Sequence, residues 1–158
     1  MSVSGALPDL AAVMRAFPLP GRFREGAPYG SGHINDTFAV VLDQAGASVR
    51  YILQRVNPRV FKDVPALMEN IARVTAHATE RALARVDDPD ASRRALTLVG
   101  ARDGQPYHRD GDGGWWRCYL FIEHARTYDI VGSPRQAAAA ARAFGEFQRL
   151  LVDLPGKR

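Results

Sequence analysis

The chain has 158 residues, 46% of them hydrophobic and 24% charged, and this composition suits one globular domain rather than two domains or a disordered chain. The 21 basic and 17 acidic residues give a net charge of +4 but alternate without a block of like charge, which argues against a nucleic-acid-binding protein. One cysteine and four scattered histidines exclude an internal disulfide and a structural zinc site.

No part of the sequence approaches the ~18 consecutive apolar residues of a membrane span. Residues 1–10 lack the basic start and apolar run of a secretory signal. We therefore expect a cytoplasmic protein that binds neither membrane nor nucleic acid.

A short helix is predicted first, because Leu10, Val13 and Phe17 share one helical face behind Asp9, a suitable N-cap, and Pro18 follows. The next segments are β-rich. Strands are predicted at 23–29, 37–42 and 49–56, and the last two are joined by a hairpin turn that contains Gly46.

A long helix is predicted to begin near Asp63 and Pro65, with a narrow apolar stripe suited to lying on a sheet, and residues 87–90 break it. Two more strands are expected at 95–101 and 115–122.

The last predicted element is an Ala-rich helix that Ser133 caps and Pro134 begins, with Phe144, Phe147 and Leu151 on one face. The order β-β-β-α-β-β-α lacks the regular alternation of a doubly wound fold. It predicts an α+β fold with a five-stranded antiparallel sheet, one covering helix and a C-terminal linker helix.

The loop between the first two strands carries Gly30, Ser31 and Gly32, small residues that allow backbone N–H groups to approach phosphates. The third strand carries Arg55 and the long helix Glu69. A cation on the strand, positioned by a carboxylate on the helix, would neutralise phosphate charge. A glycine-bearing loop, a strand with a cation and a helix with a carboxylate follow one another in this order in the N-terminal lobe of kinases.

Two points at this site remain open from the residues alone. Strand alternation places Gln54 and Arg55 on opposite faces, so only one of them enters a nucleotide cleft. Arg55 is favoured because it carries the charge; the alternative is Gln54 in the cleft and Arg55 on the outer face. His33 and Asn35 either contact phosphate or cap the loop.

Several strings occur in an order known from one family. They are YGSGHINDTF at 29–38, YILQRVN at 51–57, LMENI at 67–71, WR at 116–117 and FIE at 121–123. On these strings, residues 23–155 resemble the N-terminal lobe of the aminoglycoside phosphotransferase family, in its N-acetylhexosamine 1-kinase-like branch.

The resemblance implies a kinase-like N-terminal lobe over 1–126 and a hinge and linker helix over 127–158. It implies an ATP-dependent sugar kinase that phosphorylates a hydroxyl of an N-acetylhexosamine or similar small sugar, with Mg²⁺ bridging the phosphates. The backbone of Glu123, His124 and Ala125 would receive the adenine. The implied nucleotide-binding set is Gly30, Ser31, Gly32, His33, Asn35, Arg55, Glu69, Glu123, His124 and Ala125.

The family places its catalytic base and its metal-binding Asp in a second lobe, which would begin where this sequence ends at Arg158. No catalytic residue or metal ligand is therefore assigned, and these 158 residues alone are expected to be inactive. His108-Arg109-Asp110 has the letters of the kinase catalytic triplet, but Trp115 replaces the expected Asn. A glycine-rich turn is the favoured interpretation of that triplet.

The alternative function is a non-catalytic interaction module that retains the kinase N-lobe fold. If the second lobe is absent, the face that would pack on it leaves apolar residues exposed. We therefore expect self-association through this face. A third hypothesis, a small basic nucleic-acid binder, depends only on the high pI and lacks a basic stripe.

Overall fold

The computed structural model of the protein describes residues 7–84, 91–126 and 128–156, and within these it is an α+β fold with six strands and three α-helices. The strands are β1 (Arg22–Pro28), β2 (Asp36–Gln44), β3 (Ala47–Val56), β4 (Leu98–Val99), β5 (His108–Arg109) and β6 (Trp115–Leu120). The helices are α1 (Leu10–Met14), α2 (Val64–Leu83) and α3 (Pro134–Leu150), with a short 3-10 helix at Ala91–Arg93.

The described residues form two compact units. The first comprises those of Met1–Met68 and Leu98–Phe121, and the second comprises those of Glu69–Thr97 and Ile122–Arg158. All six strands and α1 belong to the first unit, and α3 belongs to the second. Helix α2 begins in the first unit and continues in the second.

The sheet is antiparallel with the strand order β1-β2-β3-β6-β4, and β5 also pairs with β6. The predicted α+β class and antiparallel sheet are confirmed, but the predicted count of five strands is one too few. The additional strand, His108–Arg109, is two residues long, so it has no alternation of apolar and polar residues from which a strand could be predicted. The strand predicted at 95–101 is reduced to Leu98–Val99.

The hairpin between β2 and β3 closes through two residues with positive φ, Ala45 at 54° and Gly46 at 87°. The backbone N–H of Gly46 donates to the Asp43 carboxylate at 2.9 Å. Two consecutive left-handed residues match the twist of a tight antiparallel hairpin. This turn confirms the predicted one and fixes which residues of β2 and β3 lie opposite each other.

One face of the sheet, the core face, packs under the α1 segment. Side chains of the α1 segment and of the sheet are buried together there: Leu10, Val13, Met14, Phe17, Phe38, Val40, Leu42, Tyr51, Leu53, Trp116 and Cys118. The opposite face, here called the Gln54 face, carries half-buried residues of the three central strands: Thr37, Ala39, Ile52, Gln54 and Arg117. The core face supplies the hydrophobic stability of the first unit, because its apolar area is removed from water.

The predicted helix starts are confirmed by their caps. The Asp9 side chain accepts a hydrogen bond from the N–H of Ala12 at 2.9 Å, and the Asp63 side chain accepts one from Ala66 at 3.0 Å. The Ser133 hydroxyl accepts one from the N–H of Gln136 at 3.2 Å. Each bond satisfies a backbone donor that the first helical turn leaves unpaired.

Helix α2 ends at Leu83, and the break predicted at 87–90 lies outside the described residues. On α3 the apolar face differs from the predicted one. Leu150 is the buried residue, while Phe144 and Phe147 are exposed.

Ion pairs join the elements of the second unit. Asp153, just after α3, accepts a hydrogen bond from His77 of α2 at 3.0 Å and also pairs with Arg81. Arg94 pairs with Glu146 of α3 at 3.2 Å. None of the helices in the described part of the chain combines the length and apolarity needed to cross a membrane.

Replacing Phe17 tests the packing of the α1 segment on the core face. The Phe17 side chain is 1% exposed, so Phe17→Ala leaves a cavity and should lower the free energy of unfolding by about 3–5 kcal/mol. Urea unfolding followed by tryptophan fluorescence measures the change. Phe144→Ala is the matched control, because Phe144 is 72% exposed, and should stay within about 0.5 kcal/mol of the wild type. A loss below about 1 kcal/mol for Phe17→Ala would contradict this packing.

Candidate functional site

The glycine-bearing loop lies between β1 and β2. Gly30, Ser31, Gly32 and His33 are exposed. Gly30 has a φ of 83°, in the left-handed region that favours glycine. A Cβ added at Gly30 or Gly32 would meet no atom within 4 Å, so open space lies beside the backbone at both positions. A ligand can therefore approach this backbone closely.

The base of the loop is fixed to the end of β3. The Asn35 side-chain oxygen accepts a hydrogen bond from the backbone N–H of Asn57 at 2.9 Å. At the other end of the loop, the N–H of Tyr29 donates to the carbonyl of Thr37 at 2.9 Å. The structure thus gives Asn35 a positioning role, since it holds the loop against the third strand.

A cavity of about 410 Å³ opens beside the loop. Four of the predicted residues line it together: Gly30, Gly32, Asn35 and Arg55. Backbone N–H groups and an arginine at the edge of one cavity form a set of donors that suits an anionic ligand.

Arg55 lies on the core face, opposite Asp36 on β2 and Trp116 on β6. Its guanidinium carbon is 5.9 Å from the centre of the Trp116 ring. The charge of Arg55 also acts on the carboxylate of Asp110. Arg55 therefore has neighbours within the first unit that use part of its charge.

Asp110 organises the turn between β5 and β6. Its carboxylate accepts hydrogen bonds from the backbone N–H groups of Gly114 at 2.6 Å and Asp112 at 3.1 Å, and from the Trp116 indole at 2.6 Å. Burial raises the pKa of Asp110, but these bonds and the charge of Arg55 outweigh it and hold the pKa below its ordinary value of 3.8. Of the His108-Arg109-Asp110 triplet, the first two residues thus form β5 and Asp110 stabilises the turn that follows.

On the Gln54 face, three side chains form a row across three strands. Gln54 lies directly opposite Thr37 on β2 and Arg117 on β6. The Gln54 amide nitrogen donates to the Thr37 hydroxyl at 2.7 Å. Its amide oxygen accepts from Nε and Nη2 of Arg117 at 2.8 and 2.5 Å.

This row shows which side chains share a face with Gln54, while the choice between Gln54 and Arg55 for a nucleotide cleft stays a prediction. Gln54 and Arg55 point to opposite faces, as alternation requires. Arg117 on the Gln54 face is a cation that sequence reasoning missed. Its partner Gln54 is 63 positions away along the chain, and no local pattern reveals which residue of β6 lies opposite it.

The remaining predicted residues lie in the second unit. Glu69 is exposed on α2. The carbonyl of Glu123 accepts a hydrogen bond from Arg93 at 3.0 Å. His124 has a φ of 58°, which bends the chain sharply there, and Ala125 is exposed. The Arg55–Glu69 ion pair and the adenine contact at 123–125 stay predictions.

A metal ion needs several acidic, histidine or cysteine side chains close together. Within residues 7–84, 91–126 and 128–156, no three side chains of His, Cys, Asp or Glu lie close enough together to hold a metal ion. The described residues therefore do not fit a Mg²⁺ site by themselves. Comparison with protein-family models finds no match for the sequence.

Changing Asp110 tests the role of its carboxylate in the turn. Asp110→Asn should lower the free energy of unfolding by about 1.5–3 kcal/mol at neutral pH, since the hydrogen bonds to a charged acceptor weaken. Because the folded pKa lies below 3.8, the ionised group contributes its full stability above that value and loses it as the pH falls toward the folded pKa.

Urea unfolding of wild type and Asp110→Asn at several pH values measures this contribution. The difference between the two proteins should shrink as the pH is lowered from about 5 to about 3. The control is Asp112→Asn in the same turn, where the side chain is exposed, and it should stay close to wild type. A difference that does not depend on pH would contradict the role given to Asp110.

Proposed function

We propose that this chain is the ATP-binding N-terminal lobe of a sugar kinase and that it has the fold of a kinase N-terminal lobe. One observation carries the proposal: a glycine-bearing loop joins the first two antiparallel strands, has open space beside Gly30 and Gly32, and is tied to the third strand through Asn35. Such a loop offers backbone N–H groups to phosphate oxygens.

The order of the elements supports the same function. Two strands, a loop between them, a third strand and then a long helix follow one another from Arg22 to Leu83. In phosphoryl transfer the protein mostly positions the nucleotide and neutralises its charge. The loop would supply the first of these tasks, and an arginine on the sheet would supply the second.

The sugar specificity rests on the sequence resemblance alone. We propose a hydroxyl of an N-acetylhexosamine, or of a similar small sugar, as the acceptor. The proposed nucleotide is ATP, with Mg²⁺ bound to its phosphates. The metal ligands and the catalytic base would come from residues outside these 158.

Exchanging a single glycine tests the role of the loop. In Gly30→Ala the added Cβ meets no protein atom within 4 Å, but the positive φ of this position strains any residue other than glycine and so opposes the observed loop conformation. Titration calorimetry should show that ATP binds about 10-fold more weakly or worse, the loss expected when charge-assisted hydrogen bonds are disturbed.

Gly46→Ala is the matched control. Gly46 has a φ of 87° and equally open space for a Cβ, but it lies in the hairpin turn between β2 and β3. The strain on the backbone is therefore similar, while ATP affinity should be unchanged. Equal ATP affinity in Gly30→Ala and wild type, or no ATP binding by the wild type, would contradict the proposed function.

The second candidate function is an interaction module, and exposed apolar side chains favour it. In the second unit these are Leu83, Leu96, Tyr128, Ile130, Val131, Phe144, Phe147 and Val152. Exposed apolar surface of this kind is typical of protein–protein contacts.

Sedimentation velocity tests this second function. The wild-type sedimentation coefficient should rise with protein concentration, and Ile130→Asp should suppress the rise, because Ile130 is 82% exposed and a charge there opposes burial. Val60→Asp, at an exposed position of the first unit, should behave like wild type. A coefficient that stays constant for the wild type would count against the interaction module.

A further inference from the structure

We propose that Arg117 is the cation that binds the nucleotide phosphates and that Gln54 positions it. This inference rests on the nucleotide-binding function proposed above. It assigns the charge to β6 rather than to the third strand, and it places the phosphates on the Gln54 face of the sheet.

The first support is the way in which the Arg117 side chain is held. Two of its nitrogens donate to the amide oxygen of Gln54, and Nη1 lies 3.8 Å from the sulfur of Met68. Its guanidinium carbon lies 5.5 Å from the centre of the Tyr119 ring. The guanidinium is thus fixed in place before any ligand arrives, which reduces the entropy lost on binding.

The second support is its charge. Among the residues that the structure describes, the partners of the Arg117 guanidinium are neutral: an amide oxygen, a thioether sulfur and an aromatic ring. A half-buried cation without a carboxylate beside it gains much from an anionic ligand, because its charge is only partly solvated.

The third support is the count of donors. A guanidinium has five N–H groups, and three of those on Arg117 point to Gln54 and Met68. Two N–H groups remain for a ligand. Arginine binds phosphate oxygens with pairs of N–H groups, so this number suits one phosphate group.

The fourth support is the position of Arg117 relative to the loop. Thr37, Gln54 and Arg117 are in register across β2, β3 and β6, and Thr37 follows the loop directly. Adjacent strands lie about 4.8 Å apart, so the backbone of Arg117 is roughly 10 Å from that of Thr37. The bonds to Gln54 hold the guanidinium on the side of β6 that faces β3 and β2, and Gln54 in turn bonds to Thr37.

Arg55 is the competing cation, and its surroundings differ. It lies on the core face beside Trp116, and its charge acts on the carboxylate of Asp110. On that face, β2 and β3 carry buried apolar side chains, such as Phe38 and Leu53. Gln54 is neutral, which allows Arg117 to approach it; a cation at position 54 would repel Arg117.

Titration calorimetry with MgATP and with inorganic tripolyphosphate tests the proposal on the whole chain. Arg117→Met should weaken both ligands by at least about 10-fold, and Arg117→Lys should fall between wild type and Arg117→Met. Arg24→Gln is the matched control, because Arg24 is an exposed arginine of β1 that donates to the Ser48 hydroxyl at 3.2 Å, and it should stay within about 2-fold of the wild type. Arg55→Gln tests the competing cation, which lines the cavity beside the loop, and it should lose less affinity than Arg117→Met.

A second variant separates binding from folding. Gln54→Glu places a carboxylate beside Arg117, so the thermal midpoint should be unchanged or higher, while MgATP binds at least about 10-fold more weakly because the charge is already neutralised. A purely structural Arg117 predicts full MgATP affinity in this variant.

The outcomes distinguish the two proposals. MgATP binding that survives in Gln54→Glu and Arg117→Met, but is weakened in Arg55→Gln, overturns the role of Arg117 and leaves the nucleotide-binding function standing. A wild-type chain that binds neither MgATP nor tripolyphosphate overturns both. Weakening in Gln54→Glu and Arg117→Met that exceeds the weakening in Arg55→Gln, with Arg24→Gln unaffected, supports the assignment.

Discussion

The register of β3 between β2 and β6 is the constraint on which the candidate site depends. Side chains alternate across a strand, so shifting β3 by one residue would exchange Gln54 and Arg55 between the two faces. The tight turn at Ala45 and Gly46 fixes this register on one side, and the apolar residues of the core face hold it on both. The polar row on the Gln54 face is a consequence of the same pairing.

The two faces of the sheet differ in how their arginines are surrounded. The core face is mostly apolar and packs under the α1 segment, and Arg55, on this face near the loop, lies opposite Asp36 and close to Asp110 and Trp116. The other face keeps a guanidinium at Arg117 among neutral partners. A protein that needed Arg117 only for stability would gain more from a carboxylate at position 54 than from an amide.

Local signals in the sequence were sufficient for most of the fold. The caps at Asp9, Asp63 and Ser133 announce three helices, and Gly46 announces a hairpin, because each rests on residues within four positions. The antiparallel α+β class follows from the order of these elements. β5 escaped prediction because two residues carry no periodicity, and the apolar face assigned to α3 differs because tertiary packing decides which side is covered.

The candidate site was predictable only in part, for a related reason. The glycine loop is a local feature and is visible in the sequence. The contact between Gln54 and Arg117 spans 63 positions, and it exists only once β6 pairs with β3 in one register. The sequence therefore indicated Arg55, on the third strand, as the phosphate-binding cation. No local pattern indicated a cation on β6.

Nitrogen-detected NMR of the isotope-labelled chain during titration with MgATP tests the central claim most directly, since it observes the loop and both arginines in one experiment. The account predicts that the backbone amides of Gly30 and Gly32 and the Nε signal of Arg117 shift together with one affinity, while Gly46 and the Nε of Arg24 do not respond. Shifts at Arg55 without Arg117, or no response of the loop glycines, would contradict it.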